Sequence, residues 1–309
     1  MKISIVTPCH DRFEYLESTL SSVLNQAGDF EIQYIVQNAG SSPRVREILD
    51  RWADSIDSGS FQPSCRGIDF RVFHEPDSGM YEGLNRGFAR TDGEAMAWIN
   101  TDDLYHPGAF QTVTEVLHRH ESVYWLTGIP NSFNRRGSRT GHDTFPRAYS
   151  REFIRRGLYR FENLDAGFNW IAQDCCFWRS VLWKNAGGGL DESMRYAADF
   201  RLWQVFAEHA DLVKVNSFLG GYRFHGDQVT ANPETYASEL PPLQRPPPGW
   251  QSLHKWLTLH PDDSRLFFNP EQGKPWIEGF GLDWDWLVGR TASFNFGTDC
   301  WDLTLLPII

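Results

Sequence analysis

Short apolar segments alternate with amphipathic helices in the first third of the chain, and this alternation constrains the fold more than any other feature. Segments typical of buried strands cover residues 3–6, 32–36, 70–73 and 95–99. Between the first two, apolar residues share one helix face that we expect to end at Gly28: Phe13, Leu16, Leu20, Val23 and Leu24. The alternation predicts an α/β fold, with a mostly parallel, doubly wound sheet and helices on both faces.

The composition is that of an ordinary globular protein, with 309 residues of which 41% are hydrophobic. The net charge of -11 argues against a nucleic-acid partner. No apolar run has the length of a membrane span, and the N-terminus lacks the pattern of a cleaved signal peptide. We therefore expect a cytoplasmic protein, with any membrane association peripheral and at the inner face. The five cysteines lack metal or redox spacing, so we expect reduced thiols.

Polar residues follow three of the predicted strands. Thr7 and Pro8 follow the first strand, Asn38 follows the second, and Asp102 and Asp103 follow the fourth. Ligands of doubly wound sheets bind beyond the carboxyl ends of the strands, so these turns can face one crevice. Two adjacent carboxylates repel each other unless a cation lies beside them, which indicates a divalent metal. The alternative is that one aspartate caps the following helix and the other is solvated.

Asp199 is an acidic residue on an apolar helix face. Leu202, Trp203 and Phe206 follow it by three, four and seven residues, which places the carboxylate on their side of the helix. The charge either interacts with the helix macrodipole or belongs to a general base, whose pKa desolvation would raise. The residues alone leave both interpretations open.

The stretches VTPCHDR, HEPDSGMYEGLNRGFARTDGE and NTDDLYHPGAF resemble glycosyltransferase family 2, whose members have the GT-A fold and use nucleotide sugars. The segments IAQDCCFWRSVLW, GGGLDESMRYAADFRLW and GYRFHGDQ extend the resemblance over residues 1–230. The resemblance implies a metal-dependent enzyme, using Mn²⁺ or Mg²⁺, that transfers a sugar from a nucleotide sugar, with a UDP-sugar favoured. The implied acceptor is a hydroxyl group of a glycan or lipid-linked precursor in polysaccharide or cell-surface glycan synthesis.

The resemblance assigns nucleotide-binding roles to five residues at the strand ends. Thr7 and Pro8 would lie against the nucleobase, Asn38 and Asp77 would reach the base or ribose, and Asp102 would bind the ribose. Asn38 stands where the family usually has an acidic residue, which weakens the expectation of uridine because an amide oxygen accepts without charge. Asn38 could instead shape a turn, and Asp77 could cap the next helix.

Further roles concern the diphosphate and the metal. Asn85 and Arg86 would approach the diphosphate, although a solvated arginine is the common alternative. Asp103 and His225 would bind the metal, although a lone histidine is usually structural. The metal roles of Asp103 and His225 are implied by the resemblance, whereas that of Arg86 follows from its planar guanidinium, which can bind phosphate oxygens bidentately.

On the acceptor side, the resemblance implies that Asp199 is the base and places Gln173 near the acceptor, where an ordinary polar role is the alternative. One base without a second positioned nucleophile implies a single in-line displacement with inversion. Two other functions use the same residues. One is a non-catalytic nucleotide-sugar or carbohydrate-binding protein, and the other is a metal-dependent nucleotide-sugar hydrolase.

The resemblance fades beyond residue 232. We expect a GT-A domain over residues 1–232, a stiff proline-rich connector over 233–249 and a tryptophan-rich extension over 250–309. The extension could pack against the first domain, stack on sugars or make an oligomer contact, and packing is our expectation. Its tryptophans are Trp250, Trp256, Trp276, Trp284, Trp286 and Trp301.

Overall fold

A computed structural model describes residues 1–40, 42–142, 148–226, 233–259, 282 and 284–308. Its strands are β1 Lys2–Cys9, β2 Gly28–Asn38, β3 Cys65–His74, β4 Ala95–Trp98, β5 Leu104–Tyr105, β6 Trp125–Thr127, β7 Asn131–Phe133, β8 Arg139–His142, β9 Cys176–Arg179, β10 Leu212–Val215, β11 Gly220–Arg223, β12 Val288–Asn295 and β13 Cys300–Pro307.

Its α-helices are α1 Leu16–Leu24, α2 Pro43–Asp57, α3 Met80–Phe88, α4 Ala109–Arg119, α5 Arg151–Arg155, α6 Ser180–Asn185, α7 Ala198–His209, α8 Pro233–Ala237 and α9 Pro248–Leu259. Short 3-10 helices cover Phe161–Ala166, Gln173–Cys175 and Trp284–Trp286. None of these described helices combines the length and hydropathy that a membrane span requires.

Within the described residues, nine strands form one sheet in the order β13, β12, β10, β6, β9, β4, β1, β2, β3. β9 runs antiparallel to both of its neighbours, and β13 runs antiparallel to β12. The other strand pairs of this sheet are parallel. The predicted α/β fold with a mostly parallel sheet is therefore confirmed.

The four predicted strands lie within or overlap β1 to β4, but the expected limits of the first helix were wrong. Gly28 opens β2 and does not end α1. The helix ends at Leu24, and the side-chain amide of the C-cap residue Asn25 donates to the Ser21 carbonyl at 3.0 Å. Phe13 precedes the helix and is 44% exposed. All five cysteines are free thiols, as expected.

The described residues also form a second sheet, of four strands. Its order is β5, β11, β7, β8, and β11 runs antiparallel to β5 but parallel to β7. β5 follows β4 after a short turn, so the second sheet begins at the carboxyl end of a central strand of the first. The Asp-Asp pair lies in this turn.

Helix α7 packs on the large sheet through its buried aromatic residues. The Trp203 ring lies 5.9 Å from that of Trp98 at the end of β4 and 5.5 Å from that of Trp125 in β6. Leu202 and Phe206 are also buried, so the predicted apolar face of this helix is confirmed. Asp199 lies one turn before Trp203, so this packing also fixes the start of the helix.

The C-terminal strands continue the large sheet. β12 pairs in parallel with β10, with Val213 opposite Arg290 and Val215 opposite Ala292, and β13 pairs with β12. The sheet thus joins residues that the sequence assigned to an extension and residues that it assigned to the first domain. The division of the chain at residues 232 and 249 stays a prediction.

Three of the C-terminal tryptophans contact the rest of the protein. The indole N–H of Trp250 donates to the Ala166 carbonyl at 2.7 Å, and that of Trp301 donates to a Glu115 carboxylate oxygen at 3.0 Å. An arginine guanidinium lies 4.5 Å from the ring centre of Trp286. Trp276 and the side chains of Trp256 and Trp284 lie outside the described residues.

Replacing Gly289 of β12 with alanine should lower the free energy of unfolding by about 1–3 kcal/mol, the usual range for overpacking. A Cβ atom at this position would overlap the Tyr149 carbonyl oxygen and lie 2.8 Å from its backbone nitrogen. Gly67 of β3 is the matched control, because a Cβ atom there meets nothing within 4 Å. Urea unfolding of Gly289→Ala and Gly67→Ala measures both effects, and equal effects would contradict the close packing of β12.

Candidate active site

Asp103 joins the two sheets at the end of β4. Its side chain is buried, and Oδ1 accepts a hydrogen bond at 2.8 Å from the backbone N–H of Arg223 in β11. Oδ2 accepts a hydrogen bond from the side-chain amide of Asn100 at 3.3 Å. The Asp103 carbonyl accepts a hydrogen bond from the Thr19 hydroxyl of α1 at 2.8 Å. One residue therefore connects the central strand, the second sheet and the first helix.

The surroundings of Asp103 favour its protonated form. Burial raises the pKa of Asp103 well above its usual range, and the carboxylates of Asp102 and Asp174 raise it further. Asp174 is itself buried, which raises its pKa to about 6. A cation bound beside these three carboxyl groups would reverse the effect by stabilising their ionised forms. The arrangement is thus suited to a positively charged ligand.

Asp102 lies beside His225, and Arg223 fixes the backbone between them. His225 Nε2 lies 3.0 Å from Asp102 Oδ2, and the His225 ring centre is 5.1 Å from that of Tyr15. The Arg223 guanidinium donates to the Asp102 carbonyl at 2.7 Å. The structure thus pairs His225 with Asp102, while Asp103 lies behind them. The metal-binding role expected of Asp103 stays a prediction.

The donor atoms at Asp102 and His225 fit a metal that binds together with a ligand. Within the described ranges, no three His, Cys, Asp or Glu side chains are grouped so that they could hold an ion alone. Asp102 and His225 offer one oxygen and one nitrogen, a combination that suits Mn²⁺ once diphosphate oxygens complete the coordination. Asn100 Oδ1 is buried and accepts no hydrogen bond from the described residues, so a cation or its water would satisfy it.

The residues expected around the nucleobase lie at the ends of β1 and β2. The parallel register of these strands places Asn38 opposite Cys9, the residue after Pro8. The buried Thr7 hydroxyl is 2.9 Å from that of Tyr34. Asn38 Oδ1 accepts a backbone N–H two residues on at 3.1 Å, and its amide nitrogen is 2.9 Å from His74 Nδ1. Asn38 therefore shapes a turn, and its base-binding role stays a prediction.

The polar residues around α3 hold neighbouring loops. Asp77 accepts the Gly79 N–H at 3.1 Å just before the helix, and burial raises the pKa of Asp77. Asn85 donates to the Leu190 carbonyl at 3.0 Å. Arg86 donates to a carbonyl of the loop before the helix at 2.6 Å and pairs with a glutamate one turn earlier. The expected approach of these three residues to the nucleotide stays a prediction.

Asp199 lies in the first turn of α7 and is partly buried. Its Oδ1 accepts two hydrogen bonds, from the Phe200 N–H at 2.8 Å and from the Tyr236 hydroxyl at 2.9 Å. Burial raises the pKa of Asp199 to about 6, although both hydrogen bonds oppose the increase. A carboxylate with this pKa is ionised near neutral pH and basic enough to accept a proton.

The base candidate and the acidic cluster lie on the same edge of the large sheet. The Cys176 thiol at the start of β9 has its pKa raised by burial and by the nearby carboxylates of Asp174 and Asp199. Asp174 acts in the same way on Asp103. Gln173 donates to the carbonyl at the end of β4 at 2.7 Å. All these side chains therefore surround one region.

Asp174 and Arg223 were missed by the sequence analysis. Both are buried polar residues at the centre of the site. Each lies in a stretch that carries the resemblance, IAQDCC and GYRFH, and an acid or arginine among apolar neighbours was the available signal.

Residues 4–185 match the family model described as Glycosyl transferase family 2. The chain belongs to this family. An uncharacterised glycosyltransferase of Rickettsia typhi is 24% identical over 258 residues, which cover 83% of this chain and 72% of the relative. A Bacillus subtilis glycosyltransferase, provisionally assigned to teichuronic acid biosynthesis, is 25% identical over 126 residues, which cover 41% of this chain and 46% of the relative.

The fold of this family 2 glycosyltransferase is similar to that of a solved enzyme structure. The structure of S. aureus TarS residues 1–349 in complex with UDP-GlcNAc aligns with a TM-score of 0.53 and 12% identity, over 90% of this chain and 79% of that chain. At this identity the likeness concerns the fold alone. The GT-A fold implied by the sequence resemblance is confirmed.

Asp199→Asn should stabilise the folded protein above pH 6. Because the pKa of Asp199 rises from 3.8 to about 6 on folding, the folded state alone holds the proton between these values. The stability that this proton contributes is present at low pH and lost as the pH rises through 6, by up to about 3 kcal/mol. The stability of the variant relative to the wild type should therefore increase with pH, and thermal unfolding from pH 4 to 8 measures it. A difference that does not change with pH would contradict the assignment.

Proposed function

We propose that the protein is an inverting, metal-dependent glycosyltransferase that moves a sugar from a UDP-sugar to a hydroxyl acceptor. The observation that carries the proposal is the partly desolvated carboxylate of Asp199, which lies on the same sheet edge as Asp102 and His225 but makes different contacts. Displacement at a sugar carbon needs one group to activate the acceptor and others to hold the leaving group. Asp199 meets the first need, and Asp102 and His225 meet the second.

The UDP part of the donor is supported by two observations. A protein of the same fold, S. aureus TarS, was solved with UDP-GlcNAc. Asn38 holds an amide oxygen at the carboxyl end of β2 that accepts one backbone N–H and has a second lone pair for a uracil N3–H. We assign Thr7 and Pro8 to the wall of the base pocket, and Asp77 to the ribose side.

We assign Asp102 and His225 to a Mn²⁺ or Mg²⁺ ion that enters with the diphosphate, with the buried Asp103 carboxyl group behind them. When bound, the ion would neutralise charge on the departing nucleoside diphosphate. Arg223 supports this group from behind, since its guanidinium holds the Asp102 carbonyl and its backbone N–H holds the Asp103 carboxylate.

Asp199 would remove the proton from the acceptor hydroxyl. The acceptor oxygen then bonds to the anomeric carbon while the bond from that carbon to the diphosphate oxygen breaks, and the proton stays on the carboxyl group. With a pKa of about 6, Asp199 is mostly ionised at pH 7. A single base without a covalent nucleophile on the opposite face gives inversion of configuration.

We further propose that the acceptor is a lipid-linked or glycan precursor of a cell-surface polysaccharide and that the enzyme acts at the inner face of the membrane. The Bacillus subtilis relative with its provisional role in teichuronic acid biosynthesis supports this class of acceptor. The net charge of -11 disfavours attachment to anionic lipids through charge alone.

Asp199→Asn should separate binding from turnover. Because Asp199 faces the acceptor, the affinity for UDP with Mn²⁺ should stay near that of the wild type, while sugar transfer falls by ~10² to 10⁴-fold. Calorimetric titration measures the first quantity, and release of UDP from UDP-N-acetylglucosamine and other UDP-sugars measures the second. Near-wild-type turnover would remove Asp199 from the mechanism. Release of UDP to water alone, with every sugar acceptor refused, would favour the hydrolase.

Asp102→Asn and His225→Gln should remove most of the increase in UDP affinity that Mn²⁺ provides. Loss of a metal donor should weaken the metal-dependent binding at least about 10-fold, while metal-free binding stays unchanged. Asp92→Asn is the matched control, since Asp92 is an exposed carboxylate whose partner, 3.1 Å away, is Lys2 at the other end of β1. Equal Mn²⁺ dependence in all four proteins would exclude Asp102 and His225 as metal ligands.

A further inference from the structure

We infer that Tyr236 is a positioning residue for Asp199, and that the segment of residues 233–241 completes the active site by holding the base at the start of α7. The inference rests on the proposed role of Asp199 as the base. It concerns residues beyond those that match the family model, which end at residue 185.

The Tyr236 hydroxyl fixes the orientation of the Asp199 carboxylate. It donates to Oδ1 at 2.9 Å, and the Phe200 N–H donates to the same oxygen at 2.8 Å. Two donors from different elements, α8 and α7, therefore determine how the carboxylate is turned. Because both described hydrogen bonds use Oδ1, we assign Oδ2 to the acceptor hydroxyl.

Glu239 binds the same segment to the N-terminus of α7. Its Oε1 accepts the Arg195 N–H at 2.7 Å, and its Oε2 accepts the N–H groups of Tyr196 and Ala197 at 2.8 and 2.9 Å. Ala197 is the N-cap of α7 and has no side chain that could cap the helix. A carboxylate from another element thus binds three N–H groups just before the helix, where negative charge is stabilising.

A buried arginine anchors the far end of the segment. Arg160 is 4% exposed, and its Nη1 donates to the Pro241 carbonyl at 3.0 Å. Its remaining guanidinium nitrogens donate to Glu162. The path of the chain after α8 is therefore fixed by contacts that do not involve Asp199. These contacts favour a positioning role for residues 233–241 over a role as a plain connector.

Tyrosine suits this position because its protonated hydroxyl can donate to a carboxylate. Burial raises the pKa of Tyr236 well above its usual range, so the side chain stays protonated at physiological pH. A hydrogen bond to the ionised carboxylate favours ionisation and lowers the pKa of Asp199, against the effect of burial. Removal of the hydroxyl should therefore raise that pKa.

Other titratable groups face the Asp199 carboxylate from several elements. Tyr81 faces it from α3, Cys176 from β9 and Glu239 from the chain after α8, while Arg160 faces Tyr236. The pKa values of the two tyrosines and of the thiol are raised above the range in which Asp199 titrates. Glu239 is present in every variant compared below, so its contribution cancels.

The test compares thermal unfolding from pH 4 to 8 in four proteins: wild type, Asp199→Asn, Tyr236→Phe and the double variant. The stability difference made by Asp199→Asn changes with pH between the unfolded and folded pKa values of Asp199 and levels off at the folded one, so a linkage fit gives the midpoint of the folded-state titration in each background. We expect its midpoint near pH 6 with Tyr236 present. We expect the midpoint to lie about one pH unit higher in the Tyr236→Phe background, since a hydrogen bond to a charged group is lost.

Tyr159→Phe is the matched control. The Tyr159 hydroxyl is also buried and also serves the start of a helix, accepting the Ser150 N–H at 2.9 Å before α5. This variant should lose stability at all pH values without moving the Asp199 midpoint. If Tyr236→Phe does not fold, 3-fluorotyrosine at position 236 keeps the shape and strengthens the donor, and the midpoint should then move down.

An unchanged midpoint in a folded Tyr236→Phe protein would overturn the inference, as would the absence of any Asp199 titration. Because unfolding needs no substrate, this result is independent of the proposed function. UDP release from UDP-N-acetylglucosamine tests that function separately, through Asp199→Asn. If the enzyme is active, the acid limb of its pH–rate profile should shift in Tyr236→Phe. The shift should equal that of the Asp199 midpoint obtained from thermal unfolding.

Discussion

The buried carboxyl group of Asp103 holds together the elements on which the rest of the site depends. It accepts an N–H from the second sheet, while the carbonyl of the same residue accepts the hydroxyl of α1. A buried carboxyl group without such partners would cost several kcal/mol, so these hydrogen bonds make the turn after β4 possible. With Asp103 turned inward, its neighbour Asp102 faces His225. The geometry of the proposed metal site follows from this one inward residue.

The base is held by a separate set of contacts. Asp199 depends on the packing of Trp203 against the large sheet and on donors from α7 and α8. Its partial burial lowers stability at neutral pH, because the ionised carboxylate is poorly solvated. A raised pKa of this kind is how proteins obtain a base that acts near neutrality. The folded chain thus gives up some stability at the position where the proposed reaction needs a proton acceptor.

The sequence predicted what local periodicity and chain direction determine. Alternating patterns located β1 to β4, and the rule that ligands bind beyond strand ends directed attention to Asp102 and Asp103. Helical spacing placed Asp199 on a packed face. The contacts of Arg223 could not be read in this way, since its partner Asp103 is 120 residues away in the chain and belongs to another sheet. The same limit applies to Tyr236, which lies in a segment that was interpreted as a connector, and to β12, whose pairing with β10 joins distant parts of the chain.

The central claim is that the turn fixed by Asp103 directs Asp102 and His225 toward a metal-bound diphosphate. Anomalous diffraction near the manganese absorption edge, from crystals grown with UDP and Mn²⁺, tests this claim most directly. The account predicts an anomalous peak within coordination distance of both the Asp102 carboxylate and His225 Nε2, next to the diphosphate. A peak bound elsewhere, or UDP bound at the strand ends without any peak at saturating Mn²⁺, would contradict it.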